Sequence, residues 1–259
     1  MSEARLFGSS DAADSAGQPW AGRSFDENRH ASDDGSSPED LVAAVAAFRA
    51  GNEHFDAVVD AVRHARLLVP LIAVAGETGL TADGLVVDKT QELSIVTVAT
   101  PDGRTALPLF SSVDAMRGWN PEARPVPTDG VRAALAAAGE GTPIIILDPG
   151  SPGQVAIRRP AVWAIAKSHP WRPPHLDPDI QDVIAGALEP QVRGFSLRTA
   201  DPRAQLAGAD LEVELVLDPG LDRGDLGLLL QRVTAAWFAV DVFAERVDQL
   251  GLKVVPAAN

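Results

Sequence analysis

The stretch ELSIVTVATPDGRTALPLF, residues 92–110, contains two runs rich in apolar and β-branched residues, separated by Pro101-Asp102-Gly103. Proline presets the backbone at the second position of a turn and glycine tolerates a positive φ, so this tripeptide favours a tight reversal. The sequence therefore predicts a β-hairpin in the middle of the chain. A second hairpin is predicted in IIILDPGSPGQVAIRR, residues 144–159, where two further apolar runs flank the turn that begins at Asp148.

Helical periodicity surrounds these strands. The segments SPEDLVAAVAAFRAG (37–51) and HFDAVVDAVRHA (54–65) repeat apolar residues at helical spacing, which predicts two amphipathic helices. A long helix is predicted from Asp222, and it either continues or breaks near Val240. Helix N-caps are expected where a side chain can accept a backbone hydrogen bond, at Ser37, Ser111, Thr128, Asp177 and Asp222.

Strands and helices alternate without a strict βαβ order, so the sequence predicts an α+β fold with a mixed β-sheet and flanking helices in two lobes. The segment RLLVPLIAV (66–74) is a predicted strand in which Pro70 lacks an N–H, and we therefore expect an edge strand or a bulge there. A proline-rich linker, HPWRPPHLDPD (169–179), separates a predicted domain at 39–170 from a second at 176–259.

Residues 1–38 are rich in Ser, Asp, Gly and Ala and show no lasting periodicity, which predicts a disordered acidic N-terminal tail. Within this tail, Trp20 and Phe25 are bulky aromatic residues in PWAGRSFDENRH. They are either incidental or part of a short segment that docks onto a partner or onto the folded body. The sequence leaves both interpretations open.

The charge and composition exclude several classes of protein. The chain has 36 acidic and 22 basic residues, a net charge of −14, which disfavours binding to nucleic acid or to an anionic membrane. It has no cysteine, so disulfides, thiolate nucleophiles and cysteine-ligated metals are excluded. No signal-peptide pattern or long apolar run is present, and we expect a cytoplasmic protein.

No catalytic or cofactor motif is found. The chain lacks the GxSxG, HExxH, Walker A and GxGxxG patterns, and we expect neither a cofactor nor a metal. His169 and His175 lie six residues apart in the linker but lack a supporting third-ligand pattern. The acidic residues near Asp222 do not match an EF-hand, and Asp222 is interpreted as a helix cap.

Three residues remain as candidate ligand contacts. Asp148 follows an apolar run in LDPG, a motif repeated at 217–220, and it either contacts a ligand or only completes a turn. Arg158 and Arg159 precede a predicted helix, where one of them could bind an anion. Because adjacent side chains of a strand point to opposite faces, at most one can do so, and the alternative is a solvated strand end.

The middle of the chain resembles the SseB family of bacterial proteins, named for enhanced serine sensitivity. The resemblance covers residues 66–168 and rests on three stretches: LLVPLIAVAGE, DKTQELSIVTVATPDGRTALPLFSSVDAMRGWNPEARPVP and IIILDPGSPGQVAIRRPAVWAIAK. The segments LDPGLDRGDLGLLLQRV and AERVDQLGLKVVP resemble the family's C-terminal region. These patterns are shared strands, turns and helices, and the resemblance implies no catalytic residue.

Two functions are predicted on this basis. The first is a non-enzymatic cytoplasmic protein that binds another protein, because catalytic motifs are absent and an acidic, aromatic-bearing tail is present. The alternative is a small-molecule sensor, for an amino acid or another metabolite, with its ligand between the lobes near Asp148 and Arg158. An enzyme without a recognisable motif is a third hypothesis. The identity of a protein partner and the oligomeric state are left open.

Overall fold

The computed structural model describes residues 33–74, 78–80, 86–88, 92–139 and 141–257. By its contacts the chain divides into Met1–Asp34 and Gly35–Asn259, and every helix and strand below belongs to the second unit. Most of the predicted tail, with Trp20 and Phe25, lies outside the described residues. Gly35, which falls within the predicted tail, accepts a hydrogen bond from the Val113 amide, and the end of the tail at residue 38 stays a prediction.

Residues 39–166 form two larger sheets, a two-stranded ribbon and five helices. The elements are α1 (Glu39–Arg49), α2 (Phe55–His64), β1 (Arg66–Val74), β2 (Thr78–Leu80), β3 (Val86–Asp88), β4 (Glu92–Ile95), β5 (Val98–Ala99), β6 (Thr105–Leu109), α3 (Val113–Trp119), β7 (Arg124–Asp129), α4 (Gly130–Gly139), β8 (Ile145–Leu147), β9 (Val155–Ile157) and α5 (Arg159–Ala166). One sheet has the order β4-β1-β7 and the other the order β5-β6-β8-β9, while β2 pairs with β3. A bridge between Leu68 and Phe110 joins the two larger sheets.

The remaining elements form a third sheet with its own helices. After a 3₁₀ turn (Pro174–Leu176) come α6 (Pro178–Gly186), β10 (Val192–Arg198), β11 (Leu211–Leu217), α7 (Arg223–Phe238), α8 (Asp241–Arg246) and β12 (Leu250–Pro256). The strand β11 is central, antiparallel to β10 and parallel to β12. Since parallel and antiparallel pairs occur together, here and between β6, β8 and β9, the predicted mixed α+β fold is confirmed.

Each half of the fold buries its own apolar cluster. In the first half, α1, α2, α4 and α5 pack their apolar faces on β1, β6, β8 and β9. In the second half, α6, α7 and α8 cover β11, whose alternate residues are buried as expected for a strand with one face in a core. The domain boundary near the linker stays a prediction, because Gly35–Asn259 form a single unit by their contacts.

The turns were predicted correctly, whereas two of the predicted helix caps are wrong. Both hairpins are present, with positive φ at Gly103 and Gly150. Asp177 and Asp222 cap α6 and α7, and the long helix breaks at Val240. The cap of α3, however, is Ser112, which accepts a hydrogen bond from Ala115. The hydroxyls of the predicted caps Ser37 and Ser111 instead hydrogen-bond to each other, at 2.9 Å.

The prediction for Pro70 is wrong, because β1 is the central strand of its sheet. The Leu68 amide donates to Phe110 on the side of β1 that faces away from β7. Pro70 lies two residues after Leu68, so its backbone nitrogen faces the same side of β1. On that side its missing N–H falls between the bridge to Phe110 and the pairing with β4, which begins at Leu71. The proline therefore lies where the neighbouring strand changes.

In the described part of the chain, no helix combines the length and the apolar character that crossing a membrane requires.

Candidate ligand cavity

A cavity of about 250 Å³, which we call the aromatic cavity, lies between the first half of the fold and segments of the second. Three groups of residues line it. The end of α1, the start of α2 and the turn between them supply Phe48, Gly51, Glu53, His54 and Phe55. The strand β9, the start of α5 and the linker supply Ala156, Arg158, Ala161, Trp171, Pro173, Pro174 and His175. The segment after β10 supplies Thr199, Asp201, Pro202, Ala204 and Asp210.

Three aromatic rings form one wall of the aromatic cavity. Phe48 and Phe55 pack with their ring centroids 5.0 Å apart, and Phe55 meets Trp171 edge-to-face at 6.1 Å. The helix α1 ends at Arg49, and the positive φ of Gly51 two residues later turns the chain toward α2 and so brings Phe48 against Phe55. The proline-rich linker, which was predicted only as a domain connection, carries Trp171 to the same wall.

The opposite wall is the loop 199–210, which is held by Asp201. The Asp201 carboxylate accepts hydrogen bonds from the amides of Gln205 at 2.9 Å and Leu206 at 2.8 Å. Ala204 and Leu206 both have positive φ, a conformation that costs a non-glycine residue about 1 to 3 kcal/mol. Asp201 therefore stabilises a loop conformation that the backbone alone disfavours.

A buried cluster of ion pairs joins this loop to the first half of the fold. We call it the Asp248 cluster; its members are Arg104, Arg158, Arg159, Asp102, Asp201 and Asp248. Arg158 donates to Asp201 at 2.8 Å, to Asp248 at 3.3 Å and to the Gln249 side chain at 2.9 Å. Arg104 donates to both carboxylate oxygens of Asp248, at 3.1 and 2.8 Å. Arg158 thus lines the aromatic cavity with its guanidinium already engaged.

Asp102 connects the first hairpin to the same cluster. It accepts two hydrogen bonds from the Arg104 guanidinium, at 2.9 and 2.7 Å, one from the Arg104 amide at 3.3 Å and one from the Thr100 hydroxyl at 2.5 Å. Burial raises the pKa of Asp102, but the hydrogen bonds from Arg104 and Thr100 outweigh burial and lower the pKa to about 2. The turn residue of the hairpin is therefore ionised throughout the physiological pH range.

Arg159 lies outside the aromatic cavity. Its guanidinium donates to the carbonyl oxygens of Ala244 and Val247, at 3.1 and 3.2 Å, which ties α5 to the end of α8. It also borders a second, more open cleft of about 850 Å³, together with Trp163 and Lys167. Arg158 and Arg159 both approach Asp248, but Arg158 lines the aromatic cavity and Arg159 the second cleft, and a ligand contact at either residue stays a prediction.

Asp148 lies away from both arginines and binds Ser111. Its carboxylate accepts hydrogen bonds from the Ser111 amide and hydroxyl, both at 2.7 Å. Burial raises the pKa of Asp148, and the two hydrogen bonds from Ser111 oppose this rise. The residue has a φ of +48°, which aspartate tolerates better than most residues. These contacts are those of a turn that fastens the end of β8, and Asp148 is not among the residues lining the aromatic cavity.

Asp210 is one of three carboxylates that line the aromatic cavity, with Glu53 and Asp201, and none of the three was predicted from the sequence. Asp210 is 9% exposed, and its oxygens accept hydrogen bonds from the amides of Asp248 at 3.0 Å and Gln249 at 2.6 Å. Within the described part of the chain it forms no salt bridge. Burial raises the pKa of Asp210, although the two amides and the charge of Arg158 lower it.

Two ring nitrogens of partly buried linker side chains are also shielded from solvent in this region. The Trp171 Nε1 and the His175 Nδ1 have no hydrogen-bond partner in the described structure. Burial lowers the pKa of His175, and the charge of His54 lowers it further, so the His175 imidazole is neutral at pH 7. No group of three or more potential metal-ligating side chains is present among the described residues.

Comparison with known proteins identifies one family. The family model described as the SseB protein N-terminal domain matches residues 41–164. The match begins with α1, whereas the resemblance noted in the sequence began with β1, and both end near the end of α5. The C-terminal region is not covered, so its resemblance to the same family stays a prediction. Neither a curated protein nor a solved structure matched the chain.

Proposed function

Residues 41–164 of this chain are an SseB N-terminal domain, and from this premise we propose that the protein binds a small molecule in the aromatic cavity beside Arg158. The observation that carries the proposal is the composition of the cavity walls. Most lining residues are apolar or aromatic, and a few buried charged groups stand among them, which is the usual composition of a ligand site.

The two walls come from different parts of the sequence. The SseB domain supplies Phe48, Phe55 and Arg158, whereas Thr199 and Asp210 lie beyond the residues that the family model covers. A ligand that contacts both walls stabilises their association in proportion to its own binding energy. This coupling supports a sensing role, in which ligand occupancy changes the stability of the folded protein.

We propose binding and not catalysis because of the chemistry of the lining. Among the described residues that line the aromatic cavity, none is a serine, cysteine or lysine that could act as a nucleophile. The hydroxyl of Thr199 accepts a hydrogen bond from the Asp201 amide, and Asp201 itself is paired with Arg158. The hypothesis of a protein-interaction module stays a prediction.

A thermal-shift screen tests the proposal. Amino acids, amines, carboxylic acids and neutral aromatic metabolites are each titrated against the full chain, and a ligand must raise the melting temperature progressively with its concentration. The proposal is wrong if no compound in these classes does so.

Two matched tryptophan variants locate the site. Trp171→Leu removes a ring that lines the aromatic cavity and also borders the second cleft, while Trp163→Leu removes one that borders only the second cleft. We expect the first variant to reduce the shift strongly and the second to retain it. An equal loss in both variants would place the ligand elsewhere.

A further inference from the structure

The charge of the aromatic cavity identifies the class of ligand, and this step rests on the small-molecule function proposed above. Three carboxylates line the cavity, Glu53, Asp201 and Asp210, against one cation, Arg158. The Arg158 guanidinium donates to Asp201, Asp248, Gln249 and the Gly208 carbonyl. An anionic ligand would therefore meet an excess of negative charge and an arginine that is already committed to protein acceptors.

Asp210 is the buried carboxylate of the cavity that forms no salt bridge with any described residue. Asp201 is paired with Arg158 at 2.8 Å, and Glu53 is exposed at the mouth of the cavity. Asp210 is buried, accepts two backbone hydrogen bonds, and forms no salt bridge with any described residue. An ionised carboxylate has about four acceptor positions, so about two remain for a ligand. A buried charge of this kind is stabilised most by a cation placed beside it.

The aromatic wall favours the same class. The rings of Phe48, Phe55 and Trp171 provide apolar contact for the body of a ligand, and their faces attract a positive charge. Burial lowers the pKa of His175, so its imidazole is neutral at pH 7 and adds no positive charge to the wall. We infer that the ligand is an organic cation, a protonated amine on an apolar or aromatic body, whose ammonium group hydrogen-bonds to Asp210.

Three probes of one ring system and different charge test the inference: tryptamine (cationic), 3-methylindole (neutral) and indole-3-acetate (anionic). Their affinities for the full chain are measured by isothermal titration calorimetry at pH 7 and physiological salt, which screens the general effect of the net charge of −14. We expect tryptamine to bind at least about tenfold more tightly than the other two, as a charge-assisted hydrogen bond implies. Equal or tighter binding of the acid would overturn the inference.

Variants of two lining carboxylates assign the preference to Asp210. Asp210→Asn retains one oxygen for a backbone amide and removes the charge, and we expect the ratio between tryptamine and 3-methylindole to fall to about one. Glu53→Gln removes the same charge from an exposed position and should keep most of the preference. The reverse pattern, with the preference lost only in the Glu53 variant, would overturn the role of Asp210.

If the Asp210 variant does not fold, a structure of the wild-type chain bound to tryptamine tests the same contact. The amine nitrogen must then lie within hydrogen-bond distance of the Asp210 carboxylate, and any other location contradicts the inference. Failure of all three probes, with a hit of another class in the thermal-shift screen, would overturn the ligand class alone. Failure of the whole screen would overturn the binding function itself.

Discussion

The replacement of Asp248 by asparagine should destabilise the protein more than any exposed charge change. The Asp248 side chain is 3% exposed and accepts hydrogen bonds from Arg104 at 3.1 and 2.8 Å and from Arg158 at 3.3 Å. The Arg159 Nε lies 3.8 Å from its other oxygen. Asparagine keeps one acceptor oxygen and removes the negative charge that three guanidinium groups share.

The magnitude follows from these contacts. A hydrogen bond to a charged group contributes about 1.5 to 3 kcal/mol, and the variant loses at least one while weakening the others. Removal of one partner from a buried ion pair costs about 3 to 5 kcal/mol, because the remaining charge is left without compensation. We therefore expect Asp248→Asn to lower the free energy of unfolding by about 3 to 5 kcal/mol, or about 6 to 20 °C in melting temperature.

Urea unfolding followed by circular dichroism measures this loss. Asp218→Asn is the matched control, because Asp218 pairs with Arg193 on the surface and the pair is exposed. The control should leave the unfolding midpoint nearly unchanged. A loss below about 1 kcal/mol in the Asp248 variant would refute the view that this carboxylate joins the two halves of the fold.

Three further predictions concern single positions. Gly130→Ala should lower the free energy of unfolding by about 3 kcal/mol, because the added Cβ would lie 1.9 Å from the Val62 carbonyl oxygen. Gly139→Ala is the control in the same urea titration: its Cβ would meet no atom within 4 Å, so the unfolding midpoint should not fall. Asp148→Ala should cost about 2 to 4 kcal/mol through two lost hydrogen bonds at a residue with positive φ, and a neutral result would contradict its role as a fastening of β8. The lowered pKa of Asp102 means that its stabilising effect is present above pH 3.8 and disappears as the pH falls toward about 2. Stability measured against pH for the wild type and Asp102→Asn should therefore differ by about 1 to 2 kcal/mol at pH 6 and converge near pH 2.

The features of the fold that were predicted correctly depend on residues that are neighbours in the sequence. The hairpin turns and the caps at Asp177 and Asp222 depend on a few neighbouring residues, so the sequence indicates them directly. Pro70 was assigned wrongly because its tolerance depends on which strand lies beside it, and that partner changes from Phe110 to β4 only in the folded structure. The caps at Ser37 and Ser111 failed for a similar reason, since their hydroxyls bind each other across 74 residues.

The site was less predictable than the fold, because its parts are distant in sequence. Arg158 was named as a candidate from its position before a helix, and it does line the aromatic cavity. Its partners Asp201 and Asp248 are 43 and 90 residues away, and no local pattern marks them. Nothing in the local sequence distinguishes Asp210, because its hydrogen bonds come from the backbone amides of Asp248 and Gln249. Trp171 was not predicted as a site residue, because the proline content of its segment indicated only a linker.

The long sequence separation between Asp248 and its arginine partners has a consequence during synthesis. Arg104 and Arg158 precede Asp248 by 144 and 90 residues, and they pair with it only after it has been synthesised. At about 5 to 20 residues per second, a ribosome adds Asp248 roughly 5 to 20 s after Arg158. Throughout that interval the nascent chain carries Arg104 and Arg158 without the carboxylate that they share. A chain truncated before Asp248 should therefore leave the ribosome as a target for chaperones and proteases.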